Sequence, residues 1–93
     1  MTRTMTLPGT ERPLTADVDA RLLDAARGGD FRAFEQLFER HRTSAFRLAY
    51  QMTGKREDAE DIVQEAFVRA YQNLGRYRDQ AKFSTWMLRI VSN

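Results

Sequence analysis

Two groups of residues in this chain have types and spacings that could do chemistry. The first is the run Gly75-Arg76-Tyr77-Arg78-Asp79-Gln80-Ala81-Lys82, in which Arg76, Arg78 and Lys82 surround one aromatic residue, Tyr77. Guanidinium groups neutralise phosphates, and an aromatic ring offers a face to an unstacked base. The bland alternative is a solvated connection between helices. The second group is Asp61, Gln64, Glu65, Val68 and Gln72. Their i, i+3, i+4, i+7, i+11 spacing puts them on one stripe of a helix. A purely solvated stripe has no use for an aliphatic residue at its centre and usually mixes the signs of its charges. Acids with amides around Val68 suit docking against another protein, with simple solvation as the alternative.

Catalysis finds little support. The chain has a single histidine, His41, and no cysteine. His41 falls near an apolar stripe, where a core or boundary role is the ordinary one. A di-metal site in a helical bundle needs Glu-x-x-His pairs, whereas Glu39 stands only two positions before His41. Asp58, Asp61 and Glu65 share a helix face, but a general acid needs a secluded site with an apolar wall, and this face has none. No glycine-rich phosphate loop is present. The expectation is a non-enzyme with no cofactor, no metal and no small-molecule substrate.

The elements that must position these groups follow from composition and periodicity. Ninety-three residues with 42% hydrophobic and 11% aromatic content support one small core. No disulfide framework exists, no apolar run approaches a membrane span, and the N-terminal MTRTMTLPGT lacks the apolar centre of a signal peptide. These features predict a cytoplasmic protein that does not enter membranes. The formal charge of +2 identifies no partner, but its distribution is uneven. Glu57, Asp58, Glu60, Asp61 and Glu65 occupy a stretch without a base, while Arg69, Arg76, Arg78, Lys82 and Arg89 follow against Asp79 alone. Helix-dipole complementation accounts for the early acids but not for the bases in the loop.

Residues 1–16 are polar, Thr-rich and aperiodic, which predicts a disordered tail preceding a helical domain over 17–93. A short helix is expected from Asp17 to Arg27, capped by Asp17 or Asp19 and ended by Gly28-Gly29. Asp30 caps a long second helix reaching about Thr53. Its stripe is Phe31, Phe34, Phe38, Ala45, Leu48 and Met52, widened by Leu37 and Ala49. Phe46 and Tyr50 lie on another side, so this helix is expected to be packed on two sides. The third helix, Glu57 to Leu74, buries Ala59, Ile62, Val63, Ala66, Phe67, Ala70 and Leu74. The last begins near Ser84 or Thr85, turns Phe83, Trp86, Met87, Ile90 and Val91 inward, and presents Thr85, Arg89, Ser92 and Asn93 outward. The fold class is all-α, a compact bundle of about four helices. The final helix carries no stop signal and looks cut short at Asn93.

The segments DAEDIVQEAFVRAY and FSTWMLRIVSN, in this order and joined by a short basic loop, closely resemble region 2 of bacterial sigma factors. The resemblance is to the small extracytoplasmic-function group and spans roughly Val18 to Asn93. It implies a promoter-specificity domain of RNA polymerase. In that family the third helix docks on the clamp helices of the largest subunit of core RNA polymerase, and Asp61, Gln64 and Glu65 occupy motif positions within the stripe that also carries Val68 and Gln72. The loop captures a base flipped from the non-template strand of the minus-ten promoter element. Flipping costs a few kcal/mol, recovered in pocket contacts. Arg76, Tyr77, Arg78 and Lys82 match this loop. Arg89 would contact a phosphate, and Asn93 falls where the family's asparagine can read a base edge. The resemblance further implies an anti-sigma factor as a partner covering the same faces. Asp79 departs from the glycine common in the family, and both the continuation of the last helix and the second sigma domain are missing. A helical protein–protein module without nucleic-acid binding is the alternative. It differs in having no use for Arg76, Tyr77, Arg78 and Lys82 together.

Overall fold

The computed structural model describes residues 11–78 and 81–93, with side chains from Asp17 onward. Five helices follow in order: α1 (Glu11–Arg27), α2 (Phe31–Arg40), α3 (Arg42–Thr53), α4 (Arg56–Gln72) and α5 (Phe83–Ser92), with a 3₁₀ turn at Leu74–Arg76 before the loop into α5. Every regular element among the described residues is helical. Most of the tail expected at 1–16 lies outside the described residues, and α1 already runs from Glu11 rather than Asp17. Pro13 falls in its first turn, where a missing N–H costs no hydrogen bond. Neither Asp17 nor Asp19 is therefore a cap. Asp17 pairs with Arg21 one turn on at 2.7 Å, and Asp19 reaches out of the helix altogether.

The turn between α1 and α2 is built as the glycines require. The N–H of Gly29 donates to the Ala26 carbonyl and that of Asp30 to the Ala25 carbonyl, both at 3.0 Å, closing the helix end with a left-handed residue. Gly29 takes that position at φ 106°, which a side chain would strain. Asp30 then opens α2, its Oδ1 accepting from the Ala33 N–H at 3.1 Å. One residue thus ends one helix and caps the next.

The long second helix of the sequence reading is two helices. His41, at φ −119° and ψ 10°, leaves helical geometry between α2 and α3. A contact from far away in sequence sits at this break. Asp19 of α1 accepts from Arg40 Nε at 2.6 Å through one oxygen and lies 2.8 Å from His41 Nε2 through the other. In a continuous helix, side chains at adjacent positions diverge by about 100°. The break lets Arg40 and His41 converge on one carboxylate and fastens α1 to the bundle. The buried face runs on across the break, with Phe34, Leu37 and Phe38 buried in α2 and Ala45 and Ala49 in α3, as the stripe predicts. Met52, expected inside, is 48% exposed, and on the second side Tyr50 is 47% exposed while Phe46 packs against the core. Phe46, half-buried, stacks on Tyr50 with centroids 6.0 Å apart.

The core is aromatic at its centre and small-residued at its principal helix contact. Phe34 lies 5.3 Å from Phe67, 5.2 Å from Tyr71 and 6.3 Å from both Phe38 and Phe83. The most extensive packing is α3 on α4, whose buried faces are lined by Ala45 and Ala49 on one and Ala59, Val63, Ala66 and Ala70 on the other. Small side chains let the two axes approach closely. Gly54, at φ 71°, ends α3 with its N–H on the Tyr50 carbonyl, so that α4 can fold back along it.

Candidate functional site

The outer face of α4 is set by its inner one. Because Ala59, Val63, Ala66 and Ala70 point into the core, the positions half a turn away must point outward. Asp61, Gln64, Glu65, Val68 and Gln72 are all exposed, and Val68, at 45%, is an uncovered aliphatic residue amid polar ones. Among the described residues, neither Asp61 nor Glu65 has a salt-bridge partner, whereas Glu60 at the edge of the stripe takes Arg56 at 3.4 Å. The stripe therefore presents two carboxylates without internal partners, two amides and an aliphatic centre on a rigid 17-residue helix. That combination can bind a basic, partly apolar surface. Gln64 also borders an open groove of about 660 Å³ between α3 and α4, lined by Phe46, Arg42, Arg47 and Arg56.

The basic face is assembled from three pieces. Asn73 closes α4, its side-chain amide donating to the Arg69 carbonyl at 2.8 Å. The 3₁₀ turn follows, and the chain becomes extended at Tyr77 (φ −64°, ψ 134°) before re-entering a helix at Phe83. Neither Ser84 nor Thr85 caps α5; Lys82 holds the cap position with its carbonyl accepting from the Trp86 N–H at 3.1 Å. Phe83, Met87 and Val91 are buried and Trp86 and Ile90 half-buried, so Thr85, Arg89, Ser92 and Asn93 face outward as expected. Arg76, Arg78, Lys82 and Arg89 are exposed, and among the described residues none has an acidic partner. Asp79 and Gln80 lie outside the described residues.

Tyr77 requires a correction. It was expected to offer an open ring to a base, but it is only 6% exposed. The Arg27 guanidinium lies over the ring, 5.1 Å from its centroid. Trp86 packs edge-on at 5.1 Å and Phe83 at 6.3 Å. Its hydroxyl donates to the Ala81 carbonyl, and its own carbonyl accepts from Arg27 Nη2 at 2.8 Å. Tyr77 is the pin of the loop, and burying it leaves Arg76 and Arg78 exposed on either side. A stacking surface for a base is not supplied by this ring. Arg27 is the residue that the sequence reading missed. As the last residue of α1, it carried no signal beyond a base at a helix C-terminus, and its partner is 50 positions away.

Among the described residues no group of histidines, cysteines and carboxylates could hold a metal ion, and no helix is long and apolar enough to cross a membrane. Comparison with known proteins identifies the family to which this helical domain is similar. Residues 37–93 match the family described as sigma-70 region 2. The chain is 43% identical over 65 residues to the ECF RNA polymerase sigma factor SigW of Bacillus subtilis, covering 70% of this chain and 35% of that protein. It is 44% identical over 75 residues to the ECF RNA polymerase sigma factor SigM of Mycobacterium tuberculosis, covering 81% and 38%. A third relative, the RNA polymerase sigma-H factor of Pseudomonas aeruginosa, is 35% identical over 80 residues, covering 86% and 42%. The chain thus spans well under half the length of these relatives.

Proposed function

Because the chain belongs to the sigma-70 region 2 family, and within it to the extracytoplasmic-function type, we propose that it is a promoter-specificity domain with two separate binding faces. The outer stripe of α4 docks on the clamp helices of the largest subunit of core RNA polymerase. Asp61 and Glu65 supply the charge, Gln64 and Gln72 the hydrogen bonds, and Val68 the apolar centre. The loop and α5 bind the non-template strand of the minus-ten element. Arg76, Arg78, Lys82 and Arg89 neutralise phosphates, and Asn93 reads a base edge through its amide. Tyr77 serves that face by shaping it. The domain works without catalysis or a cofactor, acts in the cytoplasm where polymerase and promoter meet, and is open to inhibition by an anti-sigma factor covering either face.

The observation that carries this reading is the pairing of two exposed faces of opposite charge on one core. Free acids stand on α4, and bases without acidic partners stand on the loop and α5. A solvated helix surface would interleave its signs and pair them along the helix.

The direct test is binding to single-stranded oligonucleotides carrying randomised minus-ten-like hexamers, at low salt, with and without core RNA polymerase. Selective binding that disappears with Asn93→Ala and with Arg76→Ala or Arg78→Ala is the expected result. Tight association with polymerase and no base selectivity in either condition would reduce the protein to a docking module.

A further inference from the structure

We propose that Arg27 is a positioning residue for the nucleic-acid face, fixing the direction in which the loop presents Arg78. The inference rests on the promoter-binding reading above for its functional consequence, and on the geometry of α1 for its cause. Arg27 is held at the end of α1 by the glycine turn that follows it, in which the Gly29 and Asp30 N–H groups close on Ala26 and Ala25. From there its Nη2 donates to the Tyr77 carbonyl at 2.8 Å, and its guanidinium carbon lies 5.1 Å from the centre of the Tyr77 ring. A peptide is planar, so fixing the Tyr77 carbonyl fixes the plane of the bond that leads into Arg78. The ring contact fixes the rotation of Tyr77 itself. Trp86, Phe83 and Ala81 hold the ring and hydroxyl of Tyr77, and Arg27 is the side chain that also holds its carbonyl, the atom that sets which way the next residue points.

The ordinary alternative is that Arg27 merely complements the dipole of α1, as bases in last turns do. Geometry separates the two roles. Any cation satisfies a helix dipole, but lying over a ring while bonding the carbonyl of the same residue suits a planar guanidinium better than a compact, strongly hydrated ammonium. Arg27 also lies outside residues 37–93, the part that matches the family. Through this contact the first helix takes part in shaping the nucleic-acid face. Asp19, clasped by Arg40 and His41, holds α1 at the register that Arg27 needs.

The test compares the 93-residue protein with Arg27→Lys and Arg27→Ala in four measurements. These are native-state tryptic cleavage after Arg78 and Lys82, selectivity for a minus-ten-like single strand over a scrambled one, affinity for core RNA polymerase, and the urea midpoint. A hydrogen bond from a charged donor plus a cation–π contact predicts that Arg27→Ala raises loop cleavage and lowers selectivity each by about tenfold, with polymerase affinity unchanged. Arg27→Lys keeps the charge at the helix end and should resemble the alanine variant in both loop measurements. If lysine behaves as arginine does, the dipole role is sufficient and the proposal falls. It falls equally if loop cleavage in Arg27→Ala is unchanged, or if polymerase affinity declines in parallel with the urea midpoint. Should the unsubstituted protein show no selectivity at all, the promoter reading fails separately. Cleavage then decides alone whether Arg27 holds the loop.

Discussion

The two faces of this domain are exposed to similar degrees and carry opposite charge, yet they are held in place by different means. The α4 stripe needs only a helix. Once Ala59, Val63, Ala66 and Ala70 are buried, Asp61, Gln64, Glu65, Val68 and Gln72 have nowhere to point but outward. The basic face needs ties between parts distant in sequence. Arg27 bonds Tyr77 across 50 positions, Tyr77 closes on Ala81, and Trp86 and Phe83 pack the ring from α5. A docking surface made of one helix tolerates changes elsewhere as long as the core survives. A recognition surface made of a pinned loop can be disturbed by a residue that touches no ligand.

That contrast can be broken most forcefully at the core the faces share. Phe34 is fully buried at the centre of the aromatic cluster. Phe34→Ala should cost about 3–5 kcal/mol, a large part of the stability of so small a domain. Urea unfolding should shift to a much lower midpoint, and both binding activities should be lost together.

Next in size come the faces themselves. Replacing Arg76, Arg78 or Arg89 with alanine should weaken single-strand binding and lower the slope of log affinity against log salt by about one per phosphate contact removed. Polymerase affinity should stay constant in the same variants. Glu65→Lys reverses a charge in the middle of the docking stripe and should weaken polymerase binding about tenfold or more, with DNA selectivity retained. Titration against core polymerase and against oligonucleotide measures both.

A smaller effect sharpens the comparison. Asp30→Ala removes the cap of α2 and should cost about 1 kcal/mol. It should lower the urea midpoint modestly without favouring either face, because the cap supports the core and touches neither.

The same division explains what could be read from the chain. The α4 stripe, the inward face of α5 and the Asp30 cap depend on spacing and on residues a turn apart, and they stand in the structure as periodicity predicts. The break at His41 was invisible, because no glycine or proline marks it and the residue that meets it, Asp19, lies 22 positions earlier. The burial of Tyr77 was hidden for a similar reason, since a tyrosine between two arginines reads as an exposed aromatic until Arg27 and Trp86 are brought to it. Local order was legible, and contacts between distant residues were not.

The most direct test of the two-face account is a double-mutant cycle of Glu65→Lys and Arg78→Ala, with affinity for core polymerase and for the preferred single strand measured on all four proteins. The account predicts that each substitution impairs one assay, leaves the other unchanged, and adds to its partner without interaction in the double variant. If both substitutions impaired the same assay, or if they coupled strongly, the faces would not be separate and the two-face account would be wrong.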